Sequence, residues 1–142
     1  MKRLLTIPVL YIWQLPQVLL GYAILLYFRL GKHPDRHVLT TPDGVQVWAS
    51  KGMRGAISLG MLTVHGPSVL SPADIRHELG HTQQSRLLGP LYLLIVGIPS
   101  LVHAWHWRPS KGDYFAFWTE RWANRLGERY FSRTSLNQRG TR

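Results

Sequence analysis

Two histidines and a glutamate stand together in the run His77-Glu78-Leu79-Gly80-His81. On a helix, residues four apart lie about 40° from each other around the axis, so both imidazoles reach toward one point. Two ring nitrogens so placed can share a metal ion. Glu78 falls about 60° from His81 on the same side, where a carboxylate can take a proton from a water on that ion without being a ligand. The chemistry this spacing offers is hydrolysis by an activated water. The 142 residues include no cysteine, which excludes disulfide scaffolds and thiolate sites and leaves His, Asp and Glu as the strong ligands.

Such a site needs a helix that starts and stops correctly. Ser71 followed by Pro72 is a helix start, with a side-chain cap and a proline in the first turn where no amide is wasted; Asp74 suits the positive end of the dipole. Gly89-Pro90 ends it, so the helix is expected over residues 71–88. Two histidines and a water leave zinc one protein ligand short. Glu120 is the first candidate, with Asn124 one turn later on a helix expected over residues 113–127, where Asp113 is the cap and Gly127 the stop. His65, His103 and His106 offer nitrogen and Asp113 offers oxygen. His103 and His106 sit beside Trp105 and Trp107 and read as rings at headgroup depth.

HELGH matches the HExxH pattern of zinc metallopeptidases. With Glu120 and Asn124 it resembles the thermolysin-like branch of the zincins, and the resemblance implies Zn²⁺ held by His77, His81 and Glu120 with Glu78 as general base. In that branch an acidic residue four positions after the ligand glutamate supports a zinc histidine; here the residue is Asn124, whose amide oxygen accepts more weakly. The stretches HELGHTQQSRLLGPLYLL and WTERWANRLG also resemble a small bacterial membrane-protein family that carries this motif. A neutral donor for the oxyanion is expected from Tyr114, His103 or His65. An extended peptide substrate is expected to pair with a strand edge at residues 56–59 or 61–64.

Two apolar blocks surround this chemistry. The first contains 25 residues without charge between Arg3 and Arg29, enough to cross a hydrocarbon core of about 30 Å; Pro8 and Pro16 should bend it. Residues 1–30 are therefore expected to form a transmembrane anchor. The second, residues 87–107, is uncharged up to Arg108 and is punctuated by Gly89-Pro90, Gly97 and Pro99. A full crossing there would set His81 and Glu120 on opposite sides, so residues 89–108 are expected as a membrane-inserted hairpin with arms meeting around residues 97–100.

Residues 31–70 alternate as a small sheet, with strands expected at 38–40, 45–49, 56–59 and 61–64 and a turn at Thr41-Pro42-Asp43-Gly44. The expected class is an α+β membrane protein: an anchor, one zincin-like domain over residues 31–127, and a basic tail over 128–142. The net charge of +10 suits an anionic leaflet, and no nucleic-acid reading module accompanies it. Arg29, Lys32 and Arg36 outnumber Lys2 and Arg3, which favours a catalytic region on the cytoplasmic side of a bacterial inner membrane. The expected function is a zinc metallopeptidase acting on peptides or proteins near the bilayer. The rivals are a zinc-binding membrane protein, adaptor or structural, without hydrolysis, and a metal-free membrane scaffold in which His77, Glu78 and His81 only hydrogen-bond.

Overall fold

The computed structural model describes residues 2–134 and has an α+β fold with five α-helices and one four-stranded sheet. Helices α1 (Lys2–Trp13) and α2 (Leu15–Leu30) precede strands β1 (Asp35–Thr40), β2 (Gln46–Ser50), β3 (Ala56–Leu59) and β4 (Leu62–His65). Helix α3 (Pro72–Leu88) follows, and after it α4 (Ile98–His106) and α5 (Trp118–Arg133). Strand order is β1-β2-β4-β3, with β2 and β4 parallel and the outer pairs antiparallel. β3 is thus an edge, whereas β4 is interior and offers no free side to a peptide.

The pleat determines what covers each face of the sheet. Leu62 and Val64 of β4 point to one face, where Leu25 and Phe28 of α2 pack and where Gly21 brings the helix against the Leu62 and Leu59 side chains. Thr63 and its partners Val47 and Ser58 point to the other, toward Ile75 and Leu79 of α3. The order of layers is α2, sheet, α3, with α5 packed on the far side of α3.

α3 begins where the sequence places it. The Ser71 hydroxyl accepts from the Asp74 amide while Asp74 accepts from the Ser71 amide at 2.9 Å, a reciprocal cap that satisfies free donors of the first turn. The turn at Thr41-Pro42-Asp43-Gly44 closes as expected, with Gly44 at φ 89°. Asp43 there accepts from Arg86 of α3 and from the Tyr130 hydroxyl of α5, so one carboxylate ties the sheet to both site-bearing helices. Burial opposes its charge, but the Arg86 guanidinium and the Thr41 and Tyr130 hydroxyls hold its carboxyl below the usual range.

Several expected elements take another form. The 25-residue anchor is two helices: residues 6–13 and 15–30 meet at an 85° bend, and no single helix among the described residues is long and apolar enough to cross a membrane. Pro16 occupies the first turn of α2 rather than kinking a continuous helix, and α2 has its inner face committed to the sheet. Residues 89–108 do not fold back at residues 97–100. A 3₁₀ turn (Gly89–Leu91) leads into a π turn (Leu93–Gly97) that continues directly into α4. Pro99 sits in the first turn of α4, where its missing amide costs nothing, so no break forms at residues 97–100. Asp113 caps a separate 3₁₀ turn (Tyr114–Ala116), α5 begins at Trp118, and Gly127 lies inside α5 rather than ending it. The tail expected from residue 128 is helical to Arg133; residues 135–142 lie outside the described ones.

Candidate metal centre

His77 and His81 project from successive turns of α3 toward α5, which presents Glu120 in its first turn and Asn124 one turn later. Glu120 Oε2 lies 3.0 Å from His77 Nε2 and 3.2 Å from His81 Nε2. The side chains are 11, 7 and 1% exposed in the order His77, His81, Glu120, and their three ligand atoms lie within 4.8 Å of one another. Tetrahedral zinc with bonds of about 2.0–2.1 Å sets its ligand atoms roughly 3.3 Å apart. The two measured His–Glu distances match that edge.

The outer faces of the rings bear on the same point. His81 Nδ1 donates to Gln84 Oε1 at 2.7 Å, and Gln84 Nε2 donates to the Thr119 carbonyl at 2.8 Å. The carbonyl of Thr119 can only accept, so it fixes the Gln84 amide with its oxygen toward His81, and thereby the His81 proton on Nδ1. His77 Nδ1 donates to Asn124 Oδ1 at 2.7 Å. With Nδ1 protonated on both rings, giving up the Nε2 proton that each shares with Glu120 leaves two lone pairs aimed at a carboxylate. Lone pairs and negative charge converging in a buried site are the donor set of a cation. Two imidazoles and one carboxylate also leave a tetrahedral ion one open position.

Glu120 is prepared as an anion. Burial pushes its carboxyl up, but hydrogen bonds from His77 and His81, the His81 charge and the Ser100 hydroxyl outweigh this and hold it well below the usual carboxylate range. Its second oxygen accepts from Ser100 of α4 and from the Thr119 hydroxyl at 3.0 Å. Burial lowers His77, but the bond to Glu120, the charge of Glu78 and the bond to Asn124 together raise it.

Glu78 faces the sheet side of the same helix, 8% exposed. The Ser58 hydroxyl of edge strand β3 lies 2.6 Å from Glu78 Oε2 and 2.9 Å from the Glu78 carbonyl, so its single proton serves one or the other. The Tyr92 hydroxyl donates to the Ser58 carbonyl at 3.1 Å, which occupies one acceptor on the β3 edge.

The remaining expectations divide. His65 is fully buried in β4, with Nδ1 on the Val69 carbonyl and Nε2 on the Thr63 hydroxyl, and belongs to the sheet. His103 donates to the Tyr114 carbonyl and stacks on Phe117 at 4.3 Å, and His106 bonds the Val102 carbonyl; none of these three histidines joins the cluster. Asp113 accepts from the Phe115 amide of its own turn. Tyr114 stays protonated, because burial and then the charges of Glu120 and Glu78 push its phenol up, so it keeps the proton an oxyanion donor needs. Ser58, Gln84, Tyr92, Ser100 and Thr119 are the contributors that sequence spacing did not single out. Of these only Gln84, three residues after His81 on one helix, carried a positional signal.

No known protein family, curated protein or solved structure matches the chain.

Gln84 gives a direct check on the ring-orienting bonds. Gln84→Met leaves His81 Nδ1 and the Thr119 carbonyl without partners, and metal affinity is expected to fall roughly 10- to 100-fold. Competition against a chromophoric chelator measures it, with helix content unchanged by circular dichroism.

Proposed function

We propose that the protein is a zinc-dependent metallopeptidase, with His77, His81 and Glu120 as ligands and Glu78 as the general base. The observation that carries the reading is the convergence of three ligand atoms within 4.8 Å of one another, the two His–Glu distances at 3.0 and 3.2 Å, with a carboxylate on the residue next to one of them. The same donor set suits iron(II). Hydrolysis needs a base next to the metal-bound water, and Glu78, the neighbour of His77 in the HELGH run, is the residue that would supply it; on this ground the reading takes zinc. Zinc bound there supplies Lewis acidity, lowering the pKa of a water to about 7.

The chain's own residues do the rest. Glu78 takes the proton of the attacking water and returns it to the leaving amine, and the Ser58 hydroxyl steadies the carboxylate between these transfers. The Tyr114 phenol is the neutral donor for developing negative charge, since both nitrogens of His65 bond within its own sheet and loop and His103 gives Nε2 to the Tyr114 carbonyl. A peptide pairing with β3 must displace the Tyr92 hydroxyl from the Ser58 carbonyl. That occupied edge is the one observation favouring the second reading, a zinc-binding protein without hydrolysis.

Elemental analysis and peptide hydrolysis, measured together on purified wild type, His77→Ala and Glu120→Ala, separate the two. Near one zinc per wild-type chain, lost in both variants, with wild-type cleavage abolished by chelation, is the expected result. Zinc with no product from a diverse peptide library would leave the second reading; a wild type that takes up no zinc would end both.

A further inference from the structure

Helix α4 buries none of its residues, although its sequence is among the most apolar in the chain. Leu94, Ile98, Leu101 and Trp105 stand at spacings of four, three and four, which is one stripe of a helix, and they are 64, 52, 62 and 78% exposed. Its opposite side carries Ser100 to Glu120 of the metal centre and His103 to the Tyr114 carbonyl. α2 repeats the pattern, with Leu15, Leu19, Tyr22, Leu26 and Leu30 exposed along one stripe while Gln17, Val18, Gly21 and Leu25 are buried along the other. Among the described residues, eighteen of the twenty exposed large hydrophobics fall within residues 9–30 and 87–105. Scattered exposed leucines need no explanation, but a contiguous face of this extent does.

The two stripes join. The Trp13 indole, at the bend between α1 and α2, donates to the Arg86 carbonyl at 2.9 Å and its ring lies against Gly89; Gln17 donates to the Gly89 carbonyl at 2.8 Å. The exposed Leu87 and Leu91 flank that contact.

Charge selects the occupant. No Asp or Glu occurs in residues 2–34 or 79–112, and each stripe ends on cations: Arg29 in the last turn of α2, paired with Asp35, and Lys32 just beyond it, and Arg108 and Lys111 after α4. An apolar face with aromatic residues and a cationic border fits an anionic bilayer. A second copy is disfavoured, because two chains of net charge +10 would bring like-charged borders together. A lone crossing is disfavoured by the 85° bend and by the sheet packed on α2. We infer that the α2 and α4 faces dip together into one leaflet of an anionic membrane, so that the chain lies on the bilayer without crossing it, with the metal centre directly behind α4. This holds whether or not the centre hydrolyses peptides.

The test uses the full chain in flotation with vesicles of phosphatidylcholine, with and without about a quarter phosphatidylglycerol. Binding to the anionic vesicles is expected, at least about tenfold above the neutral ones. The Leu101→Glu/Trp105→Glu double variant, changed only at exposed positions, is expected to keep its thermal midpoint and lose flotation by a similar factor. The chain has no cysteine, so Lys51→Cys and Lys111→Cys each give a single label site, and both are expected to react with an impermeant maleimide added outside. Flotation unaffected by the double variant, or no flotation at all, would overturn the inference. So would protection of one labelled site, which means crossing, or a detergent-free dimer dissociated by the same two substitutions, which means a second copy covers the face.

Discussion

Under the proposed hydrolysis, Glu78→Gln is expected to keep a full complement of zinc and to lower peptide cleavage by roughly 100- to 10,000-fold, the usual contribution of a positioned general base. The substitution is nearly isosteric, and the Ser58 hydroxyl, 2.6 Å from the carboxylate, can still donate to the amide oxygen, so the side chain stays where it is. What disappears is the capacity to accept a proton from water at neutral pH. Because Glu78 is not among the three atoms that converge, zinc content measured in parallel should match wild type. Turnover retained at wild-type level would remove Glu78 from the chemistry while leaving the metal centre intact. Loss of both zinc and turnover would show instead that Glu78 supports the ligands.

The site was more legible than the scaffold around it, for a physical reason. His77, His81 and Asp74 take their positions from local rules of one helix, which are written in short sequence spacings. Glu120 and Asn124 are also one turn apart, and α5 need only face α3 for both to arrive. The strands were legible because β-branched runs and the Thr41-Pro42-Asp43-Gly44 turn are local too. The apolar blocks were not, because hydropathy reports that a segment avoids water and not what covers it. Gln14 and Gln17 are both fully buried at the bend, the latter bonding Ser85 of α3 and Gly89 of the second block, and such long-range pairing leaves no trace in periodicity. Pro99 misled for a related reason: a proline that starts a helix and one that breaks it look the same until the preceding π turn is seen. His65 shows the converse, a metal-capable side chain taken up by two hydrogen bonds of its own sheet.

Gly80, inside the HELGH run, carries the remaining large effect although it touches no ligand atom. A Cβ there would stand 1.9 Å from the Ala123 carbonyl oxygen of α5, and one on Gly127 would stand 2.2 Å from the Arg76 carbonyl oxygen of α3. The two helices meet backbone to backbone at these glycines, each filling the space the other lacks. Since contacts under 3.0 Å are essentially never seen, alanine at Gly80 must drive α3 and α5 apart by about 1 Å. Helix propensity argues the other way, favouring alanine by about 1 kcal/mol. Overpacking against rigid backbone costs roughly 1–3 kcal/mol or more, so the clash wins. The consequence for chemistry exceeds that for stability, because His77 and His81 belong to one helix and Glu120 and Asn124 to the other, while metal–ligand distances tolerate only about 0.2 Å. Gly80→Ala is therefore expected to lose most of its bound zinc while far-UV circular dichroism still reports the helices. Gly55→Ala, where a Cβ meets nothing within 4 Å, is the matched control and should retain zinc. Wild-type zinc affinity in Gly80→Ala would mean that the centre does not depend on the close crossing of α3 and α5.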